Sequence, residues 1–143
     1  MDYKQYAKDL LCRKKNLVSA YSAIQAELDS LELEKAACKS SAFNCGENGD
    51  GAYSRRLINT ISSIEDCRLR RNVVERELKM IENGMNSLSD YQKDLLEYFF
   101  VDKQSAAAET IMSRYYKERS SIYRDRNKAL EEFTRSVYGV LQL

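Results

Sequence analysis

Residues 87–133 read SLSDYQKDLLEYFFVDKQSAAAETIMSRYYKERSSIYRDRNKALEEF, and their pattern decides the fold. Ser89-Asp90-Tyr91-Gln92 is a capping box. In such a box the serine side chain accepts a backbone N–H at the third helical position, and the glutamine there reaches back to the serine N–H. Asp90 adds negative charge at the positive end of the helix. A first short helix therefore opens at Ser89, with Leu95, Leu96, Tyr98 and Phe99 as its apolar face. Val101-Asp102-Lys103-Gln104 reads as a short connection. Gln104 to about Tyr115 reads as a second helix, with Ala108, Ile111, Met112 and Tyr115 inward. Tyr116-Lys117 makes a turn. Glu118 to about Arg135 is the third helix, whose inner side carries Ile122, Arg126, Ala129, Leu130 and Phe133 at helical spacing.

The residues before this module carry a different period. Tyr3, Leu10, Leu17, Ile24 and Leu31 recur at intervals of seven, with Ala7, Tyr21 and Leu28 as a second row and Leu11 and Val18 widening the stripe. Lys14 interrupts the second row. A sustained seven-residue repeat predicts a coiled-coil-like seam on a helix from about Asp2 to Lys39. Residues 40–52, SSAFNCGENGDGA, are rich in glycine and asparagine and read as a turn, with Ser54 as the next cap. A second helix from about Arg55 to Asn83 carries Leu57, Ile61, Ile64, Cys67, Val74, Leu78 and Ile81, the row running on to Met85 and Leu88 with Arg71 as its charged member. Gly84 stands where a left-handed helix end favours glycine. Two stripes of similar length around a turn predict an antiparallel hairpin. That register sets Arg68, Arg70 and Arg71 opposite Glu27, Asp29 and Glu32, and Arg13, Lys14 and Lys15 toward Glu82. The expected fold is all-α: a long antiparallel, coiled-coil-like helical hairpin over 1–86, followed by a small helix-turn-helix domain over 87–143.

Composition narrows the function. There is no proline in 143 residues and 31% are charged, which favours long uninterrupted helices. No run approaches the roughly 18 apolar residues of a membrane span. The N-terminal MDYKQYAKDLLCRKK lacks the apolar core of a signal peptide, so a cytoplasmic location is expected and no membrane partner. There is no histidine, which removes the commonest general base. Cys12, Cys38, Cys45 and Cys67 show no metal-ligand spacing and are read as reduced thiols. In the hairpin Cys12 and Cys67 would lie roughly 28 Å apart at 1.5 Å per residue; only Cys38 and Cys45, which flank the turn, could meet. No catalytic residue, metal or cofactor is expected, and an enzyme is the weakest reading.

Net charge is only +1, but Arg114, Lys117, Arg119, Arg124, Arg126 and Lys128 cluster against Glu118 and Asp125 alone. A basic helix after a turn fits a helix-turn-helix, whose last helix presents its first turns to base edges in the major groove of duplex DNA. Arg119 and Arg124 have the planar donors to grip guanine, and Asn127 can pair with adenine or hold a phosphate. Ser120 is short enough for close approach, while Lys117, Tyr123 and Lys128 suit flanking phosphates.

The same segment resembles the sigma-factor region 4-like helix-turn-helix of phage transcriptional regulators of the RinA and ArpU type. The resemblance rests on Leu88-Ser89-Asp90-Tyr91-Gln92, on Tyr98-Phe99-Phe100, and on Ser120-Ser121-Ile122-Tyr123-Arg124-Asp125-Arg126-Asn127-Lys128-Ala129-Leu130. The chain departs from that pattern with Met112 for a small residue, Tyr116 for the turn glycine and Glu118 for the serine cap. The resemblance implies a DNA-binding transcription regulator. The hairpin would either pair two copies into a homodimer, in which case two-fold pairing implies a divided operator, or dock the protein on a partner, for which the resemblance suggests RNA polymerase. Two other readings stand beside this one. A small-terminase-like packaging adaptor also joins a helix-turn-helix to an oligomerising region, and a coiled-coil interaction protein would not touch DNA.

Overall fold

A computed structural model describes the backbone of residues 1–44 and 50–143, and the side chains of these apart from 41–44, 50 and 53. The described residues form an all-α protein: α1 (Tyr3–Cys12), α2 (Lys14–Asn44), α3 (Asp50–Asn86), α4 (Asp90–Leu96) with a π-helical turn (Glu97–Val101), α5 (Ala107–Tyr115) and α6 (Arg119–Tyr138). The expected first helix is divided at Arg13, whose backbone (φ −90°, ψ −5°) departs from helical values. The expected turn over 40–52 is shorter than its composition suggests, since α2 runs to Asn44 and α3 starts at Asp50. Ser54 therefore lies inside α3 and caps nothing. The remainder of that turn, with Cys45, lies outside the described residues. Cys12, Cys38 and Cys67 are free thiols. No described helix is long and apolar enough to cross a membrane.

The described residues divide into two compact units: Met1–Val18 with Glu77–Leu143, and Ser19–Arg76. The sequence division at 86–87 falls inside the first.

In the Ser19–Arg76 unit, α2 and α3 run antiparallel. Glu27 pairs with Arg70 at 3.1 Å, while Glu34, later on α2, pairs with Arg56, earlier on α3. Arg68 meets Glu32 at 2.9 Å. The third arginine, Arg71, reaches Gln25 instead of Asp29. The core is Leu28, Ile64 and Cys67 with Leu31 against them. The seven-residue row continues one step further than its leucines, since Cys38, seven residues after Leu31, is buried. Ile61, expected in the α3 stripe, is partly exposed, and Leu33, Ile58, Leu69 and Val73 lie out in solvent.

The other unit packs α1 and the adjoining ends of α2 and α3 with α4, α5 and α6. Asp2 caps α1 by accepting the Lys4 and Gln5 N–H groups. Ala7, Leu10, Leu11, Ile81, Leu95, Leu96, Ile111, Ile122 and Phe133 are buried, whereas Val18 is half exposed. Gly84 does not end α3 in a left-handed turn. It sits within the helix, where an added Cβ would lie 2.5 Å from a ring carbon of Phe133 and 2.7 Å from Val137 Cγ2. Close approach of α6 is the requirement there, and a hydrogen atom is the only side chain that satisfies it. Lys14 lines one cleft with Glu82, but the ion pairs of Arg13, Lys14 and Lys15 go to Glu77, Glu97 and Asp102 at 3.1, 2.6 and 3.0 Å.

The π-helical turn corrects the apolar face expected for the first helix of the module. The Asp102 N–H reaches back five residues to the Glu97 carbonyl at 2.8 Å. A helix that bonds over five residues repeats its face at that interval. From Leu95 and Leu96 the buried face consequently passes to Phe100 and Val101, and Tyr98 and Phe99 lie half-buried at the edge. The connection then runs from Asp102 to Ala106, and α5 starts at Ala107.

Candidate nucleic-acid interface

The module that holds the sequence-predicted site is built outward from α4. The capping box is formed: the Gln92 N–H donates to Ser89 Oγ at 3.3 Å, and the Ser89 N–H donates to Gln92 Oε1 at 3.1 Å. Gln92 also uses its amide Nε2 to reach Glu132 of α6 at 2.8 Å. Under this cap Leu95, Ile111 and Ile122, one from each helix, form the shared core, flanked by Tyr91, Tyr98, Phe99, Met112 and Tyr115. Met112 is accommodated at the rim of this cluster.

Two phenol–carboxylate contacts set the helices at fixed positions around α4. Tyr91 donates to Asp125 of α6 at 2.7 Å. Tyr115 of α5 donates to Asp94. The two rings meet edge-on with centroids 4.7 Å apart. Each carboxylate also holds a cation: Lys117 lies 3.1 Å from Asp125, and Arg114 lies 3.4 Å from Asp94. Burial pushes the Asp125 carboxyl up, but the hydrogen bonds from Tyr91 and Lys117 outweigh it and leave the group below its ordinary range. Burial, then the bond to Asp125, raises the Tyr91 phenol. The bond to Asp94, then burial, raises that of Tyr115.

Between α5 and α6 the chain turns at Tyr116, which is left-handed (φ 54°, ψ 46°). This conformation favours glycine, and a tyrosine there is strained by roughly 1 kcal/mol. Its side chain makes no use of the core, being 93% exposed. Glu118 is the N-cap of α6 and gives no side-chain bond to the helix, so the first N–H groups of α6 are left without a side-chain acceptor.

At 100° per residue, the buried side of α6 centres on Ile122, Ala129 and Phe133, and the opposite side on Ser120, Arg124 and Asn127. These three are exposed. Arg124 extends over Ser121, with Nη2 3.4 Å from its Oγ. Lys128 lies on one flank, and no carboxylate pairs with it among the described residues. Tyr123 lies on the other, its ring 5.7 Å from Phe99. The two remaining expected contacts are engaged within the module. Arg119 pairs with Glu109 of α5, and Lys117 is held by Asp125 and stands 4.3 Å over the Tyr91 ring. Their partners lie 10 and 8 residues away in sequence, and no local motif announces them.

The arrangement offers hydrogen-bond donors on an exposed, half-basic helix face. Among the described residues no group of histidine, cysteine or carboxylate side chains could hold a metal ion. No protein-family model, curated protein or solved structure matches the chain.

Proposed function

We propose that the protein is a sequence-specific, duplex-DNA-binding transcription regulator of phage or prophage type, with α6 as the helix that enters the major groove. The observation that carries this reading is the α5–turn–α6 unit: a left-handed Tyr116 ends α5, and α6 turns Ser120, Arg124 and Asn127 outward together. Such a helix, wedged from behind by its own core, presents its first turns to base edges. The uncapped N–H groups at the start of α6 add a phosphate-facing terminus. In this reading Arg124 and Arg119 read bases, Asn127 reads a base or holds the backbone, and Lys128, Lys117 and Tyr123 contact phosphates. Arg119 and Lys117 must exchange Glu109 and Asp125 for DNA to do so. RNA polymerase and a second copy of the chain are the proposed protein partners.

The test is a gel-shift titration of the full chain on random duplex at about 50 mM salt, where even non-specific readers hold phosphates. Retention of the duplex, lost steeply as salt rises, is the expected result. No shift at that salt would sink the reading. A second reading, an interaction protein without DNA, draws on Leu33, Ile58, Leu69 and Val73, which stand exposed on the Ser19–Arg76 unit. Solution mass separates the packaging-adaptor reading, for which a ring of many subunits is expected, from a regulator that is monomeric or dimeric.

A further inference from the structure

A cleft of about 220 Å³ lies between α1 and α6, lined in part by Lys4, Lys8, Phe100, Arg126 and Asn127. Its charges are unbalanced. The Lys8 ammonium stands 5.7 Å from the centre of the Phe100 ring, and the Arg126 guanidinium stands 5.8 Å from the same centre. Neither has a carboxylate partner among the described residues. Arg126 is fixed in place by the rings of Tyr123 at 5.0 Å and Phe99 at 5.1 Å. Its Nη2 donates to Asn127 Oδ1 at 3.2 Å, and its buried Nε has no acceptor. Among the described residues the one carboxylate in the lining, Asp2, faces the Lys4 and Gln5 N–H groups as the cap of α1, and Lys4 itself is paired with Glu131 at 3.4 Å. Two cations sharing one aromatic ring repel each other unless an anion joins them.

We propose that this cleft is a seat for a phosphodiester of the DNA backbone, with Lys8 and Arg126 as its cations and Asn127 as its neutral donor. The inference rests on the reading that α6 enters the major groove, and adds α1 to the DNA-binding surface. The spacing fits. Asn127 lies seven residues beyond Ser120, about 10 Å along α6 at 1.5 Å per residue. The major groove is about 12 Å wide. With the start of α6 among the bases, the cleft therefore meets the strand at the groove's edge. A phosphate there fixes register and adds to the salt dependence without reading sequence.

The test uses the full chain and random duplex, with affinity measured from about 50 to 200 mM salt. Each phosphate contact contributes about 0.9 to the slope of log affinity against log salt. Lys8→Ala is expected to make that slope shallower, by at most about 0.9 because Arg126 remains, so the loss of affinity over this fourfold salt range shrinks by up to about 3.5-fold. Lys8→Gln, which keeps the stem over Phe100, should do the same. Lys39→Ala, on the exposed side of α2, should change nothing. Wild-type slopes in both Lys8 variants would overturn the cleft and leave the α6 reading standing. Failure of the wild-type chain to hold random duplex would overturn the α6 reading, and the cleft with it.

Discussion

The two compact units hold their helices together with different polar chemistry. In Ser19–Arg76 the links between α2 and α3 are arginine–carboxylate pairs at the surface; in the Arg68–Glu32 pair the side chains are 53% and 40% exposed. The other unit has surface charge pairs too, such as Arg13–Glu77, but two links from α4 run through phenol hydroxyls to half-buried carboxylates, Tyr91 to Asp125 and Tyr115 to Asp94. Exposed pairs hold register loosely, because water and salt compete for both partners. A phenol bonded to a half-buried carboxylate is directional and leaves an unsatisfied group if either partner goes. The unit proposed to aim a helix at DNA adds the directional kind.

The largest expected effect is at Gly84. Its added Cβ would meet the half-buried Val137 and Phe133, whose ring is fully buried and has no room to withdraw. Gly84→Ala should destabilise the first unit by about 3 kcal/mol, the upper end for overpacking. Thermal unfolding followed by circular dichroism checks it. A variant as stable as wild type would show that α6 tolerates a wider separation from α3.

Next is the Asp125 link. Asp125→Ala should destabilise by about 2 kcal/mol, since it strands the Tyr91 hydroxyl and removes the partner of Lys117. The pH dependence has a definite sign. Asp125 lies below its ordinary value in the fold, so its stabilising effect is present above about pH 4 and is lost as pH falls through the folded value. Tyr91 lies above its ordinary value, so its effect is present below about pH 10 and is lost as pH rises further. Asp125→Asn should flatten the acid limb of a melting-temperature profile, and Tyr91→Phe the alkaline limb. An acid limb unchanged in Asp125→Asn would remove the carboxylate from the account.

On the exposed face of α6 the expected effect concerns discrimination. Arg124→Ala should narrow the preference for a selected operator over random duplex by about 1–3 kcal/mol. Equal weakening on both duplexes would make Arg124 a phosphate contact. Glu109→Gln, which frees Arg119 from its pair, should tighten binding to both.

Much of this was legible in the sequence because it depends on local spacing. The capping box at Ser89 and Gln92, the inner side of α6 and the position of the turn at Tyr116 follow from residues within a few positions of each other. The seven-residue row was legible too, although its last member, Cys38, does not look like one until seen buried. What stayed hidden depends on hydrogen-bond register or on distant partners. Nothing in Glu97–Val101 announces a bond over five residues, so Tyr98 and Phe99 were expected where Phe100 and Val101 are buried. Gly84 carries two meanings in a sequence, a helix end or a close crossing, and only the position of Phe133 chooses between them. In the candidate site, Ser120, Arg124 and Asn127 of the expected outward side chains share an exposed face. The engagement of Arg119 by Glu109 and the free charge of Arg126 come from packing between separate helices.

The smallest expected effect is also the sharpest test of the comparison between the units. A double-mutant cycle on Arg70 and Glu27, using alanine at each, should give a coupling of about 0.2–1 kcal/mol that fades toward zero in about 1 M salt, where charges are screened beyond about 3 Å. Arg70 also reaches Asp66 at 3.0 Å, so part of its charge is answered within α3 when Glu27 is gone. That lowers the coupling further. The matching cycle on Tyr91→Phe and Asp125→Asn should give a larger coupling that survives the same salt, because the hydroxyl is neutral and the carboxylate is half-buried. Equal salt sensitivity in the two cycles would erase the distinction. It would mean that the α4–α6 link is held by the Lys117–Asp125 charge pair and not by the phenol, and Lys117 could then leave for DNA only by loosening the helix it helps to aim.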